Sequence, residues 1–300
     1  MGDQNRSCRY HCRMHGGAEF EHLWFETAEV RLHAVAAGPR NGSLLILLHG
    51  FPEFWYSWRK QIRPLAQAGF RVVVPDQRGY NLSSKPVHLS AYAMPHLIAD
   101  LMAIADQLEA ESFFLAGHDW GAAVAWMTAL KFPQRLRKLA IINVPHPKVM
   151  LHNVLTNPRQ LLRSWYILFF QLPWIPEAIF AARNFSYGVT ALLKSSVPGT
   201  FTSEDLSRYR EAWAYPGALT AMVNWYRAAM WHRPDMGDPQ VRVPARILWG
   251  KLDKFLLPEM AQQSVAYCDT AELTYFPENT HWLHQEQPEA VNQMLIDFFR

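Results

Sequence analysis

The segment most informative about the architecture runs Ser112-Phe113-Phe114-Leu115-Ala116-Gly117-His118-Asp119-Trp120-Gly121-Ala122-Ala123-Val124-Ala125. Its first five residues form an apolar run that predicts a buried strand. The small residues from Gly121 onward begin a helix that Phe132-Pro133 ends. Small side chains on the first helical turn allow the helix to approach the sheet closely. We therefore predict a sharp strand-to-helix turn with Asp119 at its tip.

Seven further segments have the length and composition of strands. The first two alternate in polarity and predict an opening hairpin, and helical patterns such as Pro95–Leu108 and Pro288–Phe299 lie between or after the others. The eight predicted strands are Phe20–Phe25, Val30–Ala36, Leu44–Leu48, Arg71–Pro75, Ser112–Ala116, Lys138–Val144, Arg246–Trp249 and Glu272–Phe276. Strands joined through helices imply right-handed crossovers, so we predict an α/β fold with a mostly parallel sheet flanked by helices.

The pattern changes between residues 147 and 239, where no clear strand occurs and prolines interrupt aromatic-rich helical pieces. We predict a flexible tail at 1–18, the first part of the core at 19–146, an inserted helical cap at 147–239 and the second part of the core at 240–300. The most apolar window, Trp165–Ala182, lacks the roughly 20 consecutive apolar residues that a membrane span needs. We interpret it as a lid over an apolar pocket and expect no obligate membrane span.

Composition excludes several classes of protein. A hydrophobic content of 50% with 18% charged residues indicates a well-packed globular chain, and a net charge of +3 without a basic run predicts no nucleic-acid partner. Three cysteines form no disulfide framework, and the polar N-terminal residues lack the apolar core of a secretory signal. We therefore expect a cytoplasmic protein, either a monomer or a homodimer.

A cluster near the N-terminus superficially resembles a zinc site. Cys8, His11, Cys12 and His15 lie close together, but their spacing matches none of the usual zinc-finger patterns and no second ligand pair follows. We interpret them as part of the polar tail. The sequence thus predicts no metal site and no cofactor.

An aspartate in a Gly-x-nucleophile-x-Gly turn selects a particular chemistry. A serine that displaced a leaving group from a saturated carbon would form a stable ether, whereas an aspartate forms an ester that water can cleave. A carboxylate is also ionised at neutral pH and needs no base for the first step. Asp119 therefore points to an electrophilic sp3 carbon, as in an epoxide or an alkyl halide, attacked through a covalent intermediate.

Residues that suit such a mechanism follow other predicted strands, and ligands in open parallel sheets bind at the carboxyl ends of the strands. The stretch His49-Gly50-Phe51-Pro52-Glu53, Asp253 and His281 follow the third, seventh and eighth predicted strands. The chain order nucleophile, acid, histidine predicts a triad of Asp119, Asp253 and His281. Phe51-Pro52 is a candidate cis peptide bond, since X-Pro bonds tolerate that form.

Together these motifs resemble the epoxide hydrolases of the α/β-hydrolase family over residues 20 to 300. The matching stretches are His49-Gly50-Phe51-Pro52-Glu53, Asp76-Gln77-Arg78-Gly79-Tyr80, Gly117–Gly121, Asn143-Val144-Pro145-His146-Pro147, Asp253 and His281-Trp282. The resemblance implies that Asp119 attacks the epoxide and that His281, polarised by Asp253, activates the hydrolytic water. It also implies an oxyanion hole formed by the backbone N–H groups of Phe51 and Trp120.

The leaving group distinguishes members of this family. Opening an epoxide expels an alkoxide, a strong base that needs a proton donor, and a phenol is a suitable acid in an apolar lid. Epoxide hydrolases place two lid tyrosines there. The resemblance carries these positions to Tyr166, in Tyr166-Ile167-Leu168-Phe169-Phe170-Gln171, and Tyr226, in Asn224-Trp225-Tyr226-Arg227.

We therefore predict an epoxide hydrolase that converts hydrophobic epoxides and water to vicinal diols through a covalent aspartyl ester. A haloalkane dehalogenase with the same triad is the alternative. Trp120 offers such an enzyme an N–H donor for the halide, but Phe51 stands where many dehalogenases carry asparagine. A non-catalytic receptor or lipid-binding protein on the same scaffold is a further alternative, for which a broken triad would be the expected sign.

Overall fold

One twisted sheet organises the chain. The computed structural model describes residues 10–12, 20–232 and 234–300, and the strands of this part are β1 (Tyr10–Cys12), β2 (Phe20–Glu26), β3 (Arg31–Ala37), β4 (Leu44–Leu48), β5 (Arg71–Pro75), β6 (Phe113–His118), β7 (Leu136–Ile142), β8 (Ala245–Gly250) and β9 (Ala271–Phe276). Their spatial order is β1-β2-β3-β5-β4-β6-β7-β8-β9. Pairings from β1 to β3 and between β3 and β5 are antiparallel, and the remainder are parallel. The predicted α/β fold with a mostly parallel sheet is confirmed.

Helices flank the sheet and also form the chain segment that connects β7 to β8. They are α1 (Arg59–Gln67), α2 (Met94–Gln107), α3 (Trp120–Lys131), α4 (Pro147–Thr156), α5 (Pro158–Arg163), α6 (Trp165–Phe169), α7 (Ile175–Ser195), α8 (Ser203–Trp213), α9 (Ala218–Trp231), α10 (Glu259–Val265), α11 (Leu283–Glu286) and α12 (Pro288–Phe299). Short 3-10 turns occupy Trp55–Trp58, Leu89–Tyr92 and Pro133–Arg135.

The central strands form because they are apolar along their whole length. Every residue of β4 and β5 is buried, as expected where helices cover both faces of a parallel sheet. The hairpin of β2 and β3 pairs Glu21 with Ala36 and Glu26 with Arg31, and this confirms the predicted opening hairpin. All eight predicted strands are present within about two residues of their predicted limits.

Between β7 and β8 the described residues contain helices α4 to α9 and no strand. Helix α7 is not continuous, because Arg183, Asn184 and Phe185 have positive φ values of 51°, 53° and 61°. Helix α8 begins with a reciprocal capping box between Thr202 and Asp205. The limits of the cap at residues 147 and 239 stay a prediction.

Two further sequence predictions concern the N-terminal tail and the expectation of no membrane span. The flexible tail at 1–18, with Cys8, His11, Cys12 and His15, lies outside the described residues except for the backbone of Tyr10–Cys12, which pairs antiparallel with Phe20–His22. Across residues 10–12, 20–232 and 234–300, no helix has the length and apolarity needed to cross a bilayer.

Candidate active site

Asp119 lies at the tip of the turn between β6 and α3, with φ 51° and ψ −126°. Flanking glycines make this strained geometry possible because there is no room for a side chain. A Cβ on Gly121 would lie 2.2 Å from the carbonyl oxygen of Leu48, and one on Gly117 would lie 2.5 Å from the carbonyl oxygen of Gly121. A Cβ on Gly50 would meet the Asp119 side chain at 2.2 Å. The turn therefore presents the carboxylate where β4 ends.

A backbone N–H group binds one oxygen of this carboxylate. The N–H of Phe51 donates to Asp119 Oδ1 at 2.6 Å. Trp120 is the first residue of α3, so its N–H belongs to the helix-terminal donors that have no partner within the helix. Phe51-Pro52 is cis, as predicted.

His281 connects the two acidic residues. Its Nδ1 lies 2.8 Å from Asp253 Oδ2, and its Nε2 lies 3.4 Å from Asp119 Oδ2. The other oxygen of Asp253 accepts the backbone N–H groups of Phe255 and Leu256 at 2.7 and 3.0 Å. Asp253 is thereby fixed so that it orients the imidazole. The structure brings together the three residues that the sequence places at separate strand ends.

Asn143 holds the acid from the neighbouring strand end. Its side-chain N–H donates to Asp253 Oδ2 at 2.8 Å, and its side-chain oxygen accepts the N–H of Gly250 at 3.0 Å. The residue has a positive φ of 55°, a conformation that asparagine tolerates better than most residues. An amide at this position supports the acid without replacing it.

The charges at the site are mutually stabilising. Burial lowers the pKa of His281, but the negative charges of Asp253 and Asp119 outweigh it and raise that pKa to about 10. Burial raises the pKa of Asp119, but the hydrogen bond and charge of His281, with the Phe51 N–H, bring it below its ordinary value. At neutral pH the site therefore holds an Asp119 carboxylate beside a His281 imidazolium.

Tyr166 on α6 and Tyr226 on α9 lie over the carboxylate. Their ring centroids are 5.9 Å apart, and the ring of Tyr226 makes edge contacts with Phe51 and Trp120 at 5.3 and 5.0 Å. Burial, followed by the negative charge of Asp119, raises the pKa of both phenols. Both tyrosines are therefore neutral O–H donors at physiological pH.

A cavity of about 330 Å³ joins these groups. Asp119, His281, Tyr166 and Tyr226 all line it, and most of the remaining lining is apolar. This volume is within the range of small-molecule sites. Four of the five predicted side chains thus line one apolar chamber. The fifth, Asp253, is buried and hydrogen-bonded to His281 outside that lining.

A buried hydrogen-bond network lies behind His281, and the sequence predicts no role for its members. His118 Nε2 donates to the His281 carbonyl oxygen at 2.9 Å, and His118 Nδ1 lies 3.2 Å from Glu53 Oε2. Glu53 Oε1 accepts from Tyr209 at 2.7 Å and from Gln285 at 3.0 Å. The sequence signal that could identify Glu53 and His118 is their position, because both lie inside the motifs of the predicted site.

The network behind His281 includes three residues of metal-ligating type. Glu53, His118 and His284 place ligand-type atoms within 4.8 Å of one another, all buried. The carboxylate of Glu53 is already bound by Tyr209, Gln285 and His118, and the His284 Nε2 lies 3.9 Å from it. These contacts fit a hydrogen-bonded support for the His281 backbone better than a metal centre.

Comparisons with known proteins agree with this geometry. Residues 43–288 match the family model of the alpha/beta hydrolase fold. The chain is 45% identical to AB hydrolase superfamily protein YfhM of Bacillus subtilis, over 91% of this chain and 96% of that protein. It is 40% identical to epoxide hydrolase 4 of Homo sapiens, over 90% of this chain and 76% of that protein.

Solved structures of epoxide hydrolases also superpose on this chain. An epoxide hydrolase from Bacillus megaterium superposes with a TM-score of 0.84 at 28% identity, covering 92% of this chain and 99% of that one. Epoxide hydrolase A from Mycobacterium thermoresistibile superposes with a TM-score of 0.79 at 32% identity, covering 94% and 98%.

Proposed function

This chain belongs to the α/β-hydrolase fold family, among its epoxide hydrolases, and on that premise we propose that it hydrolyses hydrophobic epoxides to vicinal diols. The observation that carries the proposal is the pairing of two neutral phenols with a turn aspartate in one apolar chamber. The aspartate suits attack on a saturated carbon, and the phenols suit an alkoxide leaving group. No cofactor is required for this chemistry.

In the first step, Oδ2 of Asp119 attacks an epoxide carbon. The carbon–oxygen bond of the ring breaks, and the departing oxygen takes a proton from Tyr166 or Tyr226. Oδ1 is the less suitable nucleophile because it already accepts the Phe51 N–H at 2.6 Å. In the resulting ester, Oδ1 becomes the carbonyl oxygen and remains in the predicted oxyanion hole.

In the second step, His281 acts as the base. Ester formation neutralises Asp119 and removes one of the two charges that raise the pKa of His281. The imidazolium therefore releases its proton, which replaces the one that the tyrosine gave to the departing oxygen. The neutral ring then takes a proton from water, whose oxygen attacks the Asp119 carbonyl carbon. Phe51 and Trp120 stabilise the oxyanion. As it collapses, the ester carbon–oxygen bond breaks and the departing oxygen takes the proton of the hydroxyl that water added, directly or through His281. The diol leaves, and the Asp119 carboxylate and the His281 imidazolium are restored.

Steady-state assays with the D119A variant test this function. We expect the wild-type protein to convert styrene oxide to its diol, and we expect the variant to lose turnover by about 10⁴-fold or more. Asp235→Ala, an exposed aspartate in the 234–239 segment, is the matched control and should retain turnover. Full activity in D119A would overturn the nucleophile assignment.

The haloalkane dehalogenase alternative shares the Asp119–His281–Asp253 triad. Two phenols over the carboxylate supply protons that an alkoxide needs and a halide does not, so this alternative ranks second. Halide release from a brominated alkane, measured at the same protein concentration, should be far slower than diol formation. The opposite ratio would reverse the assignment, and ligand binding without either product would indicate a non-catalytic protein.

We further propose that the protein acts in the cytoplasm, as a monomer or homodimer. Among the side chains that the structure describes, Cys268 has no disulfide partner, which suits a reducing compartment. Fractionation of cells that express the full chain, together with sedimentation analysis of the purified protein, tests both statements. Recovery in a secreted fraction or as a higher oligomer would contradict them.

A further inference from the structure

The exposed apolar side chains of this protein are concentrated in one region. Among the described residues, twelve of the seventeen large exposed apolar side chains lie between Leu151 and Leu193, on α4 to α7 and their connections. A soluble surface normally scatters such residues singly. We call the exposed apolar and basic side chains of residues 148–194 the cap face.

Helical spacing aligns part of this surface. Leu161, Trp165, Leu168 and Leu172 recur at intervals of three or four residues through α5, α6 and the following turn, and all four are exposed. Side chains at this spacing lie on one side of a helix. Trp165 and Leu168 therefore lie on one side of α6, with the exposed Leu161 on α5 before them and the exposed Leu172 in the turn after them.

The segment that contributes the cap face is mainly basic. Residues 147–195 contain five basic side chains, Lys148, Arg159, Arg163, Arg183 and Lys194, and a single acidic one, Glu177. Glu177 is largely buried in an ion pair with Arg227 at 2.7 Å. Arg159 lies 3.3 Å from the exposed Glu259, and Lys148 is half-buried. In the part of the chain that the structure describes, the exposed Arg183 and Lys194 have no carboxylate at ion-pair distance. The exposed charge is consequently cationic, although the whole chain carries only +3.

This surface adjoins the mouth of the active-site cavity. Leu162 and Trp165 line that cavity and are 75% and 55% exposed. Lys254 also lines it, and its ammonium group donates to the carbonyl oxygen of Lys194. The entrance is thus surrounded by apolar side chains with cations beside them.

We propose that the cap face docks on anionic lipid bilayers, with the mouth of the cavity turned toward the membrane. Leucine and tryptophan side chains with adjacent cations are the composition of interfacial membrane-binding surfaces. Tryptophan in particular favours the boundary between water and lipid. Docking in this orientation gives apolar epoxides dissolved in the bilayer a direct path to Asp119.

A second copy of the chain is the competing occupant. In a two-fold dimer the same patch meets itself, so the unpaired cations of both copies would face each other without acidic partners. Anionic headgroups supply the complementary charge instead. Charge complementarity therefore favours a lipid surface over self-association.

Vesicle flotation tests the proposal. We expect the full chain to float with phosphatidylcholine vesicles that contain phosphatidylglycerol, and to bind pure phosphatidylcholine at least about fivefold more weakly. High salt should release it. Leu155→Ser with Leu168→Ser, at sites 70% and 60% exposed, should weaken partitioning by about tenfold or more. Arg183→Glu with Lys194→Glu should have a similar effect.

Matched controls lie outside the cap face. Val87→Ser removes an apolar side chain that is 90% exposed, and Arg242→Glu reverses an exposed charge; neither should change flotation. No flotation of the wild-type chain, or equal losses in the controls, would overturn the proposal. A different result would indicate self-association: the wild-type chain does not float but forms a concentration-dependent dimer, and Leu155→Ser with Leu168→Ser abolishes that dimer. This result would also overturn the proposal.

The experiments can refute membrane docking and epoxide hydrolysis independently of each other. Delivery of membrane-dissolved substrate rests on the proposed function, whereas flotation does not. All four variants should hydrolyse water-soluble styrene oxide at the wild-type rate, since substitutions at exposed sites rarely alter the fold. Flotation without diol formation would refute the epoxide hydrolase assignment alone, and diol formation without flotation would refute docking alone.

Discussion

The core and the cap contribute to the site in physically different ways. In the core, Asp119 and His281 follow strands, and close glycine contacts and backbone hydrogen bonds fix their positions. In the cap, Tyr166 and Tyr226 lie on α6 and α9, which pack through a small apolar cluster with Phe51. In the proposed mechanism, the sheet thus holds the nucleophile and the base, while a separate helical layer holds the two tyrosine proton donors. Substitutions in the two regions should therefore affect different steps.

The largest expected effect removes the base in the core. In His281→Gln, Asp119 still opens the epoxide, but no group deprotonates water, so steady-state turnover should fall by about 10⁴-fold or more. The alkyl-enzyme ester should accumulate to one equivalent. Intact-protein mass spectrometry after incubation with styrene oxide measures the added mass. The exposed His88→Gln serves as a control; an unmodified His281→Gln protein would contradict the two-step division.

The next effect concerns the rigidity of the core turn. Gly121→Ala places a Cβ against the Leu48 carbonyl oxygen, a backbone atom that cannot move aside, and should cost about 4 kcal/mol or more of unfolding free energy. Gly199→Ala in the cap meets no atom within 4 Å. It retains only the strain of a positive φ, so we expect a loss of about 1 kcal/mol. Urea unfolding of both variants measures the contrast, and equal losses would refute it.

Removing the two tyrosine proton donors of the cap should slow only the opening of the epoxide ring. The double variant Tyr166→Phe, Tyr226→Phe lacks both phenol donors, so ester formation should slow by about 10²- to 10³-fold. Hydrolysis of the ester should be unchanged, because His281 and its partners remain. Rapid-mixing kinetics separate the two rates, with the exposed Tyr215→Phe as control. Equal slowing of both steps would show that the cap also orders the core.

The smallest effect is the pH dependence of stability. The pKa of folded His281, about 10, lies above its ordinary value of 6.5. Its contribution is therefore fully present below pH 6.5 and is lost as pH rises through about 10. We expect the unfolding free energy of the wild-type protein to fall across this window more steeply than that of His281→Gln. Parallel curves for the two proteins would contradict the ion pair with Asp119.

The sequence is most informative where composition alone decides the structure. The strands Leu44–Leu48 and Arg71–Pro75 have the limits predicted for them, because uninterrupted apolar runs suit a sheet covered on both faces. Helix α1 is not predicted, since it contains Pro64 and few apolar residues. Its place in the fold comes from tertiary packing and not from local propensity.

The candidate site shows a similar division. The motif order and the carboxyl ends of the strands predict that Asp119, Asp253 and His281 converge. The contacts of Glu53 and His118 are not predictable in this way, because they join residues 65 apart and depend on where the strands lie in the sheet. The roles of Tyr166 and Tyr226 came from family resemblance, since many tyrosines pack in helical layers without catalytic function.

The most direct measurement is a single-turnover reaction of excess enzyme with styrene oxide in 18O-labelled water, followed by mass spectrometry of the diol and of the Asp119 peptide. If Asp119 Oδ2 attacks the ring, the first diol carries unlabelled oxygen, and the label enters the Asp119 carboxylate when water cleaves the ester. Labelled diol with an unlabelled peptide would mean direct attack by water, and would contradict the covalent mechanism at its first step.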